Sequence, residues 1–276
     1  MVYYRLQALR CLWLAFSILK EYVMKKPGLL ILLLVLGISF ADAAGSRGNG
    51  KIAIIEKDVS PFETMQISGR SIVNYYRSRE YRVVVTIDSN LEKRLDIATK
   101  NNTLNIGLKA GYRVYPSRFV VDVYSPALSG ITISGNVQFE ARDTITAGDF
   151  RLNVSGNGRI GGNFQCESFT TNVSGSVDIE SNVVCRSFSA DISGSGRITL
   201  TGDCNDLDIA VSGSGTFDGD EFKTNNAVVR ISGSARINIW VLEYLRANVY
   251  GSGRVRYRGN PKIDFSGSGS GQLENV

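Results

Sequence analysis

Apolar and polar residues alternate through the second half of the chain, and the alternation restarts about every 19 residues. A Ser-Gly doublet marks the restarts, at Ser134-Gly135, Ser155-Gly156, Ser174-Gly175, Ser193-Gly194, Ser212-Gly213 and Ser232-Gly233, with Tyr250-Gly251 and Ser266-Gly267 as weaker members. A period of two is typical of strands with one buried face and does not form one face of a helix. The pattern therefore predicts many short strands joined at glycine corners.

Apolar residues occupy the same places in successive repeats. One position before the doublets stand Ile133, Val154, Val173, Ile192, Val211, Ile231 and Val249, and five positions after each Ser stand Phe139, Ile160, Ile179, Ile198, Phe217, Ile237 and Val255. A unit this short can bury its apolar side only by stacking on copies of itself. Because parallel crossovers are almost always right-handed, we expect an all-β fold, a right-handed parallel β-helix of about seven coils over residues 129–276.

The preceding segment, residues 44–128, is also predicted to be rich in β-structure. Strands are expected at 83–87, 103–108 and 119–123, with a short helix or turn at 91–97. An exposed solenoid end is an unpaired strand edge that needs covering. We expect this segment to cap that end and to be continuous with the solenoid.

Residues 1–43 have the layout of a leader with a secretory signal peptide. Met24-Lys25-Lys26 is a basic start, 29–40 is an almost wholly apolar run, and Ala41-Asp42-Ala43 fits a cleavage site. The alternative is a membrane anchor, although the run is short for a membrane span. We predict translation from Met24 rather than Met1, export to the periplasm, cell surface or medium, and no membrane span after cleavage.

Composition and charge exclude several classes of function. The formal charge of +5 is concentrated in the leader, and the remaining chain holds 26 basic and 24 acidic residues, which gives no footprint for nucleic acid. The chain has no His, the commonest general base. The stretch from Gly156 to Gly161 matches a dinucleotide-binding motif, but it repeats a corner and no helix is expected after it. We expect no catalytic residues, cofactor or metal site.

Three cysteines fall at one repeat position. Cys166, Cys185 and Cys204 are each 19 residues apart, so adjacent coils would place two within reach of a disulfide. An exported protein permits such a bond. The alternative is a buried column of small apolar side chains, which cysteine fills well.

A candidate binding surface lies near the last coils. It consists of Trp240, Tyr244, Tyr250, Tyr257, Arg254, Arg256 and Arg258. Aromatic residues beside arginines suit a sugar or protein ligand. The alternative is that they close the end of the core. The acidic stretch 203–221 is either a Ca²⁺ site or, as we expect, a solvated face.

Several stretches together resemble a known family. They are residues 62–69, the strand 81–85 with Asn90-Leu91, residues 102–108, and the repeated Val-Ser-Gly-Ser-Gly-x-Ile pattern, as at 192–198 and 211–217. The chain resembles the family described as putative auto-transporter adhesin, head GIN domain, found in secreted proteins of bacteria related to Bacteroides. The resemblance covers about residues 50–271 and implies an exported β-helical protein of the cell surface or periplasm.

Three functions remain open at this point. The first is a non-enzymatic adhesion or binding module for an unidentified protein or glycan. The second is a structural envelope protein, assembled as a homo-oligomer through the solenoid ends. The third is a polysaccharide-degrading β-helix enzyme, for which only the acidic stretch 203–221 offers carboxylates.

Overall fold

The computed structural model describes residues 46–110 and 113–276. The leader, with its predicted start at Met24 and cleavage site, lies outside the described residues. Residues Arg47–Val276 form one compact unit.

The N-terminal part of this unit contains eight strands and one 3₁₀ helix. The strands are β1 (Ser46–Arg47), β2 (Ile52–Asp58), β3 (Thr64–Arg77), β4 (Arg82–Asp88), β5 (Leu95–Lys100), β6 (Thr103–Leu108), β7 (Val114–Tyr115) and β8 (Phe119–Ser125). The 3₁₀ helix (Ser89–Arg94) precedes β5. The three strands predicted here are confirmed, and the predicted helix or turn begins two residues earlier than expected and ends where β5 begins.

Stacked parallel coils form the rest, a β-solenoid of about seven turns. Its strands are β9 (Gly130–Ala141), β10 (Ile145–Gly194), β11 (Arg197–Gly213), β12 (Thr216–Gly233), β13 (Arg236–Gly251), β14 (Arg254–Arg258), β15 (Lys262–Gly269) and β16 (Gln272–Asn275). Each strand from β9 to β13 pairs in parallel with the next along the chain. The predicted parallel coils are confirmed.

The Ser-Gly doublets lie directly over one another, as predicted. Ser134 pairs with Ser155, and Ser193 pairs with Ser212. The column extends one coil further toward the N-terminus than the predicted doublets, because Ser68-Gly69 of β3 pairs with Ser134-Gly135. At the other end Tyr250-Gly251 pairs with Ser268-Gly269, so the prediction of Ser266-Gly267 was wrong by two residues. A Gly-Ser-rich tail offers several doublets, and only strand register distinguishes them.

Columns of like side chains fill the interior. Ile198, Phe217, Ile237 and Val255 are in register and fully buried. A second column stacks phenylalanine rings, with centroids 5.1 Å apart between Phe150 and Phe169 and again between Phe169 and Phe188. Burial of such side chains stabilises the fold by about 1.5–3 kcal/mol each.

On the N-terminal side of the first coil the topology changes. β3 pairs in parallel with β6 over Thr64–Ile67 and with β8 over Ile72–Arg77. β8 then pairs antiparallel with β4, and β4 with β2. These strands and the 3₁₀ helix bury Leu91, Leu95 and Leu104 against the first coil.

Candidate functional site

A groove runs along the solenoid beside the Ser-Gly corners and has a volume of about 740 Å³. One wall is the column Ser134, Ser155, Ser174, Ser193, Ser212, Ser232 and Tyr250. The other wall is the column Thr132, Asn153, Asn172, Asp191, Ala210, Arg230 and Asn248. We call this feature the axial groove.

The alternation of the strands explains how the groove forms. The walls stand two residues apart in each coil, and the Val or Ile between them points inward, as for Val154, Val173 and Val211, each 2% exposed. The floor therefore consists of main chain and of these Val and Ile residues, and the surface inside the groove is mainly apolar. Neighbouring strands of a sheet are about 4.8 Å apart, so each wall offers one side chain at that interval along the axis.

The wall side chains other than Ala210 are polar and only partly engaged. Asn172 donates from Nδ2 to Oδ1 of Asn153 at 2.8 Å, and Arg230 forms an ion pair with Asp208 outside the groove. Within the described residues, Asp191 has no hydrogen bond or ion pair through its side chain. Tyr250 is 54% exposed at the C-terminal end of the serine wall. The groove thus presents hydroxyls, amides, one carboxylate and one aromatic ring to a ligand.

A second cavity adjoins the groove toward the N-terminal coils. It measures about 1060 Å³ and shares Thr132 and Asn153 with the groove. Gln66, Asp149 and Arg151 also line it. Polar side chains therefore continue beyond the groove over the first coils.

The predicted surface of four aromatic and three arginine residues is divided among several places. Trp240 lies between Lys223 and Arg258, which come from the preceding and following coils. Lys223 Nζ is 4.4 Å and Arg258 Cζ is 4.8 Å from the ring centroid. Cations from both neighbouring coils cover the indole faces, so Trp240 offers no open ring for stacking on a ligand.

The other predicted residues are held by their neighbours, with one exception. The Tyr244 hydroxyl donates to Asp264 at 3.1 Å, and Tyr257 packs against the core. Arg254 and Arg256 both pair with Glu274, at 3.6 and 3.3 Å. Tyr250 is the one residue of the seven that lines the axial groove. A ligand on the remaining six stays a prediction.

The three cysteines form the predicted column. Cys166 is half-buried, Cys185 and Cys204 are buried, and all three are free thiols. The neighbouring thiols of Cys166 and Cys204, and then burial, raise the pKa of Cys185 above its usual value. Cys204 Sγ donates to Oγ1 of Thr224 at 3.4 Å. This arrangement fits the column of small buried side chains, and the disulfide stays a prediction.

The acidic stretch 203–221 is dispersed. Asp206 accepts hydrogen bonds from the side chains of Asn205 at 2.9 Å and Asn226 at 3.0 Å, which lower its pKa. Asp208 is paired with Arg230. In residues 46–110 and 113–276 no cluster of acidic or cysteine side chains is arranged to hold a metal ion. The Gly156–Gly161 stretch lies within β10, so no helix N-terminus follows it.

The sequence reading identified the serines as corners and missed their role as a groove wall. The signal was present two positions earlier, where Asn153, Asn172 and Asp191 repeat as polar residues. Those positions became informative only when the strand register aligned the two columns on one face.

The fold and the groove define a parallel β-solenoid whose polar corner column borders a long surface groove. The chain belongs to the family described as putative auto-transporter adhesin, head GIN domain, which matches residues 61–261. No curated protein matches the sequence. The resemblance drawn from the sequence motifs is confirmed.

Solved structures of the same fold come from Parabacteroides. A putative lipid binding protein and a putative adhesin from Parabacteroides distasonis are each 26% identical to this chain, with TM-scores of 0.80 and 0.79. They cover 83% and 84% of this chain, and 98% and 99% of their own chains are matched. A putative adhesin from Parabacteroides merdae, 24% identical with a TM-score of 0.79, covers 84% of this chain and is matched over 100% of its own.

These names bear on the function at a coarse level. The family and two of these neighbours are described as putative adhesins and the third as a putative lipid binding protein, and none of them as an enzyme. An adhesin family implies an exported surface protein. Within the described residues, no helix is both long and apolar enough to cross a membrane.

Proposed function

We propose that this protein is an exported, non-catalytic binding module of the cell envelope that holds a linear glycan in the axial groove. The observation that carries the proposal is the repetition of polar side chains along both walls. A ligand that repeats along its length can make the same contacts on every coil, and a linear glycan has hydroxyls at regular intervals. The predicted signal peptide and the family description support a surface role.

The chemistry of the walls favours a glycan over an acyl chain. Hydroxyls of Ser155, Ser174 and Ser193 and the amide of Asn172 can donate to and accept from sugar hydroxyls. The exposed ring of Tyr250 can pack against the apolar face of a sugar. An acyl chain could contact the apolar floor of the groove but would make none of these hydrogen bonds.

Glycan-array binding of the purified protein, followed by calorimetry with each positive oligosaccharide, tests this proposal. Ser174→Gln places a longer side chain in the groove, and Tyr250→Ala removes the ring. We expect each change to weaken binding about tenfold, which corresponds to a loss of about 1.4 kcal/mol in binding free energy. Ser195→Gln is the matched control, because Ser195 is an exposed serine directly after the Ser193-Gly194 corner that does not line the groove.

Two outcomes would contradict the proposal. Binding to fatty acids or phospholipid vesicles with no glycan bound would overturn the ligand class. An equal loss of glycan binding with Ser174→Gln and with Ser195→Gln would show that the glycan does not bind in the axial groove.

The open C-terminal end favours a second candidate, a structural role through end-to-end assembly. Ile263 and Phe265 occupy interior columns but are 37% and 43% exposed, because no further strand of the described residues covers β15. An open strand edge with apolar side chains is a template for pairing. Antiparallel pairing of two β15 strands about Ile263 would place Lys262 opposite Asp264 of the second copy, so a second copy of this chain is the occupant we propose.

Sedimentation equilibrium over a wide concentration range tests the second candidate. We expect the wild type to dimerise and Phe265→Asp to remain monomeric. Ile54→Asp is the matched control, since Ile54 is 74% exposed on β2 at the opposite end of the sheet. A wild type that stays monomeric at high concentration would reject this role without affecting the groove.

A further inference from the structure

A single carboxylate lies midway along the axial groove. Among the described residues that line the groove, Asp191 is the only acidic one, and its side chain is exposed. It is the fourth of the seven residues in its wall. Its surroundings therefore decide which ligand charge the middle of the groove accepts.

Amide side chains of the preceding coils are linked by a hydrogen bond along the axis. Asn172 Nδ2 donates to Asn153 Oδ1 at 2.8 Å, so a donor in one coil meets an acceptor in the coil before it. Asp191 stands over Asn172, because Gly194 stacks on Gly175 and each of the two wall residues lies three positions before its glycine. An ionised carboxylate accepts hydrogen bonds but donates none. The ladder of side-chain hydrogen bonds therefore stops at Asn172.

The coil after Asp191 supplies no donor to its carboxylate. Asp191 pairs in strand register with Ala210, whose side chain has no polar atom. Among the described residues, none donates a hydrogen bond to the Asp191 carboxylate or to Asn172 Oδ1. Two neighbouring coils therefore present acceptors to the groove without a protein donor between them.

The nearby charges leave this part of the wall negative. Arg230 also lines the groove, two coils beyond Asp191, but it forms an ion pair with Asp208. Asp208 is a diagonal neighbour of Asp191, because it pairs in register with Ser189. Two carboxylates thus share one guanidinium group, and one negative charge is unbalanced.

From this arrangement we infer that the axial groove selects a linear glycan with free amino groups, and that Asp191 binds one of its ammonium groups. The inference rests on the proposed function and names the kind of glycan that the groove holds. An ammonium group has a positive charge and three N–H donors. It can therefore donate to the Asp191 carboxylate and to Asn172 Oδ1 together, whereas a neutral sugar brings no charge and an acidic sugar would be repelled.

The length of the groove favours an oligosaccharide over a single amino sugar. Ser193 of the Asp191 coil pairs with Ser212, Ser212 with Ser232, and Ser232 with Tyr250. Three steps between neighbouring strands amount to about 14 Å along the axis. A ligand that contacts both Asp191 and the Tyr250 ring must span that distance.

Isothermal titration calorimetry at pH 5.5 with a glucosamine hexasaccharide and with its N-acetylated counterpart tests the inference. The two probes share one sugar backbone, and only the first carries ammonium groups. We expect wild type to bind the glucosamine hexasaccharide about tenfold more tightly, the difference between a hydrogen bond to a charged group and one between neutral groups. This preference should shrink as salt is raised, and single glucosamine should bind more weakly than the hexasaccharide.

Three variants separate the charge of Asp191 from the other contacts of the groove. Asp191→Asn should weaken binding of the glucosamine hexasaccharide about tenfold and leave the N-acetylated probe unchanged. Ala210→Asn adds an amide that can donate to Asp191, so it should reduce the preference about threefold. Tyr250→Ala should weaken both probes equally, because the ring contact does not depend on the amino groups.

Asp203→Asn is the matched control for the change of charge. Asp203 is an exposed carboxylate on β11 that does not line the groove. This variant removes the same charge from the protein, and we expect it to bind both probes as wild type does.

Four results would overturn the inference. Equal affinity of wild type for the two hexasaccharides would show that the amino groups are not recognised. An equal loss with Asp191→Asn and with Asp203→Asn would assign the preference to overall charge. Binding of a hexalysine peptide without binding of the glucosamine hexasaccharide would indicate a peptide ligand. Binding of a neutral array glycan without binding of the glucosamine hexasaccharide would overturn the inference alone, whereas no binding of any glycan would also overturn the proposed function.

Discussion

The two ends of the solenoid complete its core in different ways. At the N-terminal end Leu91 of the 3₁₀ helix and Leu104 of β6 are fully buried. At the C-terminal end Ile263 and Phe265 are each more than one-third exposed. The residues that precede them in the same columns, Leu245 and Ala247, are fully buried.

The difference shows how a repeat fold handles its edges. A solenoid coil is stabilised by its neighbours, so the first and last coils each lack one set of contacts. The N-terminal end regains those contacts from non-repeating elements. In the described residues the last coil has no such cover, and we expect local opening to begin there.

The largest expected loss of stability comes from replacing a glycine at an inner corner, and it should exceed the loss from the same change at the first corner. Gly194→Ala would place Cβ 2.8 Å from the Gly175 carbonyl oxygen, at a φ of +124°. Backbone strain and overpacking each cost about 1–3 kcal/mol, so we expect a loss of about 4 kcal/mol in the free energy of unfolding. Gly69→Ala, with φ of +84° and open space, should cost only the backbone strain, about 1–2 kcal/mol.

Urea denaturation of both variants measures this pair. Equal losses would mean that the coils do not approach at Gly194 as closely as the stacking requires, and that the first corner is no more open than the rest.

The next largest expected loss of stability comes from truncating an apolar side chain, and it should differ between the two ends. Leu91→Ala removes a fully buried side chain from the covered end, and we expect a loss of about 3 kcal/mol. Ile263→Ala removes a side chain that is 37% exposed, and we expect about 1 kcal/mol or less. Thermal denaturation of the two variants is the measurement. A larger effect at Ile263 than at Leu91 would contradict the contrast between the ends.

The repeat predicted the coils but not how they are closed. Periodic Ser-Gly and Val or Ile positions specify the coil register, because each residue contacts its equivalent in the next coil. The covering elements contact residues that are not their equivalents. The burial of Leu91 depends on a single 3₁₀ helix packing against the first coil, and no period in the sequence reports such a contact.

The candidate sites depended on register in the same way. Tyr250 was identified as a binding residue, but its place in the groove follows from its pairing with Ser232 and Ser268. Arg70 and Arg118 border the same cavity only because of a gap in pairing between β6 and β8. Trp240 was a poor candidate for stacking because cations from two other coils cover it, which the linear sequence does not display.

The smallest effect concerns one carboxylate at each end. Asp88 is fully buried at the covered end, and hydrogen bonds from the Ser117 hydroxyl and then from main-chain N–H groups lower its pKa. Asp264 is about half exposed at the open end and pairs with Arg246 at 2.9 Å. Asp88→Asn should cost about 2 kcal/mol at pH 7 through weakened charge-assisted hydrogen bonds, and Asp264→Asn less than about 1 kcal/mol.

The pH dependence tests the role of Asp88 more sharply than the size of the loss. A carboxyl whose pKa is lower in the folded state stabilises the fold above its ordinary pKa of about 4, and this contribution disappears as the pH falls through the folded pKa. Wild type should therefore lose stability in acid below about pH 4. Asp88→Asn has a lower stability at pH 7 and should show a flatter profile in acid, because the carboxylate that would take up a proton is missing. Urea denaturation from pH 7 to pH 2.5 measures both profiles. An Asp88→Asn profile parallel to that of wild type would show that the buried carboxylate does not stabilise the covered end.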